Sequence, residues 1–144
     1  MINLYSRIIR EPMPYGRVLV VDDVESNLIV AQDLLRLYEL NISTVDSGFK
    51  AVKKVKSGEI YDIIFMDHMM PEMDGIEATR QIRDLGYDGT IIALTANTIF
   101  GSRNMFMQNG FDDYIPKPID FKLFDDILNR FIRDRHLSMA AMKQ

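Results

Sequence analysis

The sequence predicts an α/β domain of three layers, with one sheet of five parallel strands covered by helices on both faces. Three observations predict it. The apolar runs "RVLVV", "IIFM" and "TIIAL" do not alternate with polar residues. Both faces of such strands must therefore be buried, as they are in a parallel sheet under helices. Segments of helical spacing lie between the runs, the pattern of βα units. The chain has 144 residues, 47% apolar and 26% charged, enough for one domain and one continuous core.

Taken in order, the first strand is Arg17–Val21. Leu28, Ala31, Leu34, Leu35 and Tyr38 then follow helix spacing, with Ser26 or Asn27 as N-cap. "NISTV" (Asn41–Val45) is the second strand, and Phe49, Val52 and Val55 mark a short helix ending near Gly58. The third strand, Ile63–Met66, leads to a helix carrying Ile76, Thr79, Ile82 and Leu85, stopped by Gly86. The fourth strand, Thr90–Leu94, precedes a helix over Ser102–Asn109 with Gly110 as its stop. "DYI" (Asp113–Ile115) is the fifth strand. Phe124, Ile127, Leu128, Phe131 and Ile132 give the last helix the strongest amphipathic stripe. Right-handed crossovers leave few topologies for this (βα)5 series, and the expected one is the flavodoxin-like sandwich, strand order 2-1-3-4-5.

Composition excludes several functions. The net charge of −4 gives no electrostatic support to direct nucleic-acid binding. The chain has no cysteine, hence no disulfide, thiolate or Cys-ligated metal chemistry. No apolar run approaches a membrane span, and the start "MINLYSRIIREPMPYG" lacks a signal-peptide pattern. A cytoplasmic location is expected.

Ligands of such sheets bind at the carboxyl ends of the strands. The first strand ends in Asp22 and Asp23, the third in Asp67 and the fourth in Thr95, while Lys117 follows the fifth. Each close carboxylate pair costs roughly 1 kcal/mol in water and about 4 at an effective dielectric of 20, so the cluster calls for a cation. A hard divalent ion such as Mg²⁺ suits oxygen ligands. Metal, lysine and threonine beside a carboxylate are equipment for stabilising a phosphoryl group in transfer, with one carboxylate as nucleophile.

Together "VLVVDD", "IIFMDHMMPEMDG", "ALTAN" and "DDYIPKPID", in that order, resemble the receiver domain of two-component response regulators, over about Arg17 to Arg135. The resemblance implies that Asp67 is the phosphoacceptor and that Asp22 and Asp23 form the acidic pair for Mg²⁺, or Mn²⁺ in its place. Asp23 would be the direct ligand and Asp22 would act through water. It makes the backbone carbonyl of Met69 a further ligand, Thr95 and Lys117 the partners of phosphoryl oxygens, and Tyr114 the switch aromatic. The implied partner is a histidine kinase or histidine phosphotransfer domain, docking near Ser26, Asn27, Leu28 and Val30. A phosphorylation-dependent homodimer and a cis bond before Pro118 are further implications. "ALTAN" and "DDYIPKPID" look more like receivers of hybrid sensor kinases than free-standing ones.

Other features weigh less. His68 follows Asp67 and points to the opposite face, so it reads as a bystander. The ten methionines read as gap-fillers. Met69 and Asn97 occupy positions that tune phosphate lifetime in the family, and an apolar Met69 points to slow hydrolysis. Residues 1–16 read as an arm or linker, 17–135 as the domain and 136–144 as a tail. A Mg²⁺-dependent phosphatase passing through an aspartyl phosphate would need an acid where Met69 stands. A flavin carrier would need a Ser/Thr/Gly-rich loop where "DDVESN" stands. A binding module that works unphosphorylated is the remaining alternative.

Overall fold

The computed structural model describes residues 8–96 and 102–142. Five strands, β1 (Arg17–Val21), β2 (Asn41–Val45), β3 (Ile63–Asp67), β4 (Thr90–Thr95) and β5 (Asp113–Pro116), form one sheet. Its order is β2-β1-β3-β4-β5 and each neighbouring pair is parallel, as the sequence predicts. Between and after them lie α1 (Glu25–Arg36), α2 (Gly48–Lys56), α3 (Gly75–Asp84), α4 (Ser102–Gln108) and α5 (Phe121–Leu128). The helix of α5 continues through a π-helical turn, Asn129–Arg133, into α6 (Asp134–Met142).

Side chains of each strand alternate between two cores. Val18, Val20, Ile63, Phe65, Ile92 and Leu94 face α1 and α5, where Leu35, Phe124 and Leu128 meet them. Leu19, Val21, Ile64, Met66, Ile91 and Ala93 face α2, α3 and α4, packing on Ala51, Ala78, Ile82 and Phe106. The three central strands are buried on both sides, which is why their sequences are apolar runs. Gly86 and Gly110 end their helices with φ of 91° and 97°, backbone angles that other residues adopt only under strain.

Three local expectations are corrected. Helix α1 starts before Ser26 and Asn27; its N-cap position is Val24, without a side-chain cap. Two residues earlier, Asp22 Oδ1 accepts from the Val24 amide at 2.9 Å and holds the entry to the helix. Phe49 is 53% exposed, because α2 approaches α3 through Gly48 and Ala51 rather than through its largest side chain. The segment after His136, whose composition makes no structural demand, is helical to Met142 with its side chains exposed.

Met13 and Tyr15, just before β1, are anchored. Met13 is fully buried in the core under α1 and α5, and its amide donates to the Tyr38 carbonyl at 2.7 Å. Tyr15 stacks on His136, with ring centroids 3.7 Å apart. Arg135 Nη1 donates to Thr90 Oγ1 at 2.9 Å, tying α6 to the start of β4. Among the described residues no helix is long and apolar enough to cross a membrane.

Candidate functional site

The carboxyl edge of the sheet gathers what the sequence places there. Asp22 follows β1 and is buried; Asp67 closes β3 and is buried; Asp23 is exposed. One carboxylate oxygen from each lies within 4.8 Å of the others. Lys117 Nζ bridges two of them, donating to Asp67 Oδ1 at 2.9 Å and to Asp22 Oδ2 at 3.1 Å. The lysine is held from behind: its amide donates to the Thr95 carbonyl at 2.8 Å, one step beyond the end of the β4–β5 ladder. The Lys117–Pro118 peptide bond is cis.

Electrostatics follow from this packing. Burial pushes the Asp67 carboxyl up to about 6; the Lys117 hydrogen bond opposes the rise and the Asp22 charge adds to it. Burial alone would lower the Lys117 ammonium, but its bonds to Asp67 and Asp22 outweigh that and raise it. The ammonium bridges two carboxylates of the three but brings only one positive charge, and the exposed Asp23 faces solvent. An all-oxygen donor set with one open carboxylate suits a hard divalent cation that keeps part of its water shell.

Local structure fixes the loop after β3. The Gly75 amide donates to the His68 carbonyl at 2.9 Å, and a Cβ at Gly75 would collide with the Asp67 carbonyl oxygen. The first turn of α3 therefore presses directly on the backbone of Asp67, and Asp74 caps that turn by accepting from the Glu77 amide at 2.9 Å. Met69 lies in this loop with its side chain 69% exposed. Asn97 lies outside the described residues.

Thr95 is fully buried at the end of β4. Tyr114 is half-buried on β5 and stacks on Phe106, with centroids 5.8 Å apart. His68 stands outside the carboxylate cluster, yet it has a partner of its own. It is buried, its Nδ1 lies 3.2 Å from Thr95 Oγ1, and its ring meets Phe106 edge-on at 5.0 Å. Alternation does carry His68 away from Asp67, but the register pairs Asp67 with Leu94, so the next residue on each strand shares the other face. The residue-by-residue register of β3 against β4 was the missing signal.

A family model described as "Response regulator receiver domain" matches residues 18–129. Among curated proteins, the chain is 39% identical over 108 residues to the sensor protein GacS of Pseudomonas syringae pv. syringae, covering 72% of this chain and 12% of that one. Among solved structures, it is similar to the receiver domain of a sensor histidine kinase from Pseudomonas aeruginosa PAO1, which has a magnesium ion coordinated in its active site cleft. That match has 36% identity and a TM-score of 0.71, over 81% of this chain and 97% of that one. The receiver domain of Ssk1, solved with the histidine phosphotransfer protein Ypd1 of Saccharomyces cerevisiae, matches with TM-score 0.76 at 25% identity, over 89% and 93% of the two chains. The chain spans about 8–14% of the length of the histidine kinases it resembles.

Proposed function

The chain belongs to the response regulator receiver domain family of two-component signal transduction, and from that premise we propose that it accepts a phosphoryl group on Asp67. One observation carries the reading. A buried carboxylate ends the middle strand, 2.9 Å from Lys117 Nζ and within 4.8 Å of oxygens of Asp22 and Asp23.

Asp22, Asp23, Asp67 and the Met69 carbonyl are the groups that would hold Mg²⁺, or Mn²⁺ with the same preference for oxygen. Bound there, the cation offsets the repulsion of the carboxylates and neutralises charge on the transferring oxygens. An Asp67 oxygen attacks the phosphorus of a phosphohistidine. The new O–P bond forms as the N–P bond breaks, and the leaving imidazole takes up a proton. Lys117 turns one of its two bonds toward a phosphoryl oxygen. Thr95 donates its hydroxyl to another, and Tyr114 moves into the space it leaves. This biases a two-state equilibrium on the face of α4, β5 and α5, where a partner or a second copy reads it.

The donor is a histidine phosphotransfer domain or histidine kinase in the cytoplasm, the kind of partner that Ypd1 is for Ssk1. Helix α1 exposes Ile29 and Val30 beside a groove of about 570 Å³ that opens onto Asp22 and Lys117. Leu28 packs on the core and contributes less to that surface. The test is intact mass after incubation with Mg²⁺ and acetyl phosphate, beside Asp67→Asn and a chelator control. A phosphate adduct needing both Asp67 and metal is the expected result. No adduct and no binding of beryllofluoride would overturn it in favour of an unphosphorylated binding module.

A further inference from the structure

Thr95 does not stand free before the switch operates. Its hydroxyl shares a hydrogen bond with His68 Nδ1 at 3.2 Å, with the donor set by the imidazole tautomer. Both side chains are buried, at 0% and 7% exposure. The His68 amide donates to the Leu94 carbonyl at 2.9 Å, so the backbone carrying the imidazole is locked to the strand carrying the hydroxyl. Beyond His68, the edge-on contact with Phe106 and the stacking of Phe106 on Tyr114 continue the chain of contacts to the switch aromatic.

We propose that His68 is a positioning residue, a latch that holds Thr95 in its resting place until the phosphoryl group draws the hydroxyl away. The proposal rests on the reading of Asp67 as phosphoacceptor and Thr95 as switch. Its physical basis is the cost of leaving a buried polar group without its partner. When Thr95 swings toward the phosphoryl oxygen, the buried Nδ1 loses the hydroxyl, and this cost adds to the gap between resting and active states. A residue there that only filled space against Phe106 would add nothing to that gap. Removing the latch raises the fraction of the chain already competent, and the apparent affinity for a phosphoryl mimic rises by the same factor.

The experiment compares the full chain with His68→Leu, which keeps bulk but no hydrogen bond, and His68→Asn, whose amide stands where Nδ1 does. The probe is beryllofluoride with Mg²⁺, and the amide resonances of Thr95 and Tyr114 are also followed without metal. His68→Leu should bind beryllofluoride about five- to tenfold tighter. Its metal-free resonances should lie part of the way toward those of the loaded wild type, and His68→Asn should return both readouts toward wild type. Unchanged or weaker affinity in His68→Leu, or Asn behaving as Leu does, overturns the latch. If the Leu variant does not fold, the wild type decides by itself: the ¹⁵N resonance of His68 Nδ1 must move on beryllofluoride binding, and a fixed resonance overturns the proposal. A wild type that binds no beryllofluoride overturns the phosphoacceptor reading and the latch together; binding that is indifferent to His68 overturns the latch alone.

Discussion

Asp67 holds its proton more tightly in the folded chain than in the unfolded one. Its carboxyl sits near 6 rather than the ordinary 3.8, chiefly through burial. The stabilisation of that protonated form is complete below about pH 4 and is lost as pH rises through 6. Metal-free protein should therefore lose on the order of 2–3 kcal/mol over that window, and Asp67→Asn should not. Thermal melts in chelator should show an advantage of Asp67→Asn that is near zero at pH 4 and full above pH 7; an advantage that shrinks with pH would refute this. A second residue carries a simpler cost. Thr79 is fully buried on α3 and its hydroxyl has no hydrogen-bond partner among the described residues. Thr79→Val keeps the shape and removes the unpaired group, so urea unfolding should show a gain of about 1 kcal/mol. That Asp22, Asp23, Asp67, Thr95 and Lys117 lie along one edge of the sheet was legible in the sequence, because each stands at or just past a strand end. The His68–Thr95 bond was not, because it depends on which residue of β3 faces which residue of β4.

Among the elements, α3 bears most directly on the site. Its first turn touches the Asp67 backbone because position 75 has no side chain, and the Asp74 cap fixes where the turn begins. Gly75→Ala forces the two segments apart. It should cost about 2–4 kcal/mol in denaturant unfolding and slow phosphorylation by acetyl phosphate, by moving Asp67 relative to Lys117. Unchanged stability would mean that the loop yields at no cost. Strand positions were readable because double-sided burial leaves an unmistakable apolar run, as in Ile63–Met66. Helix faces were less so. Phe49 satisfies helical spacing yet lies exposed, since Gly48 and Ala51 set how closely α2 meets α3, and small residues carry little hydrophobic signal. The π-helical turn Asn129–Arg133 was also invisible, because it keeps Phe131 and Ile132 buried as the regular stripe would.

At the scale of the whole molecule, the described stretch just ahead of β1 contributes to the fold through Met13. Met13 fills the core below α1 and α5, and Met13→Ala should cost about 2–4 kcal/mol by urea unfolding. A loss under 1 kcal/mol would mean that the arm merely rests on the surface. The sequence shows this arm as linker-like because its prolines and glycine hide one buried methionine. The pairing of Tyr15 with His136 has a further consequence. Arg135 reaches the first residue of β4, so this pairing lies at the edge of the sheet where strands begin, and the reactive carboxylates lie where they end. Tyr15 and His136 thus meet at one pole of the sheet, and the three clustered carboxylates lie at the other. A load carried through Tyr15 and His136 would therefore be borne at that pole, with the full length of the sheet between it and Asp67.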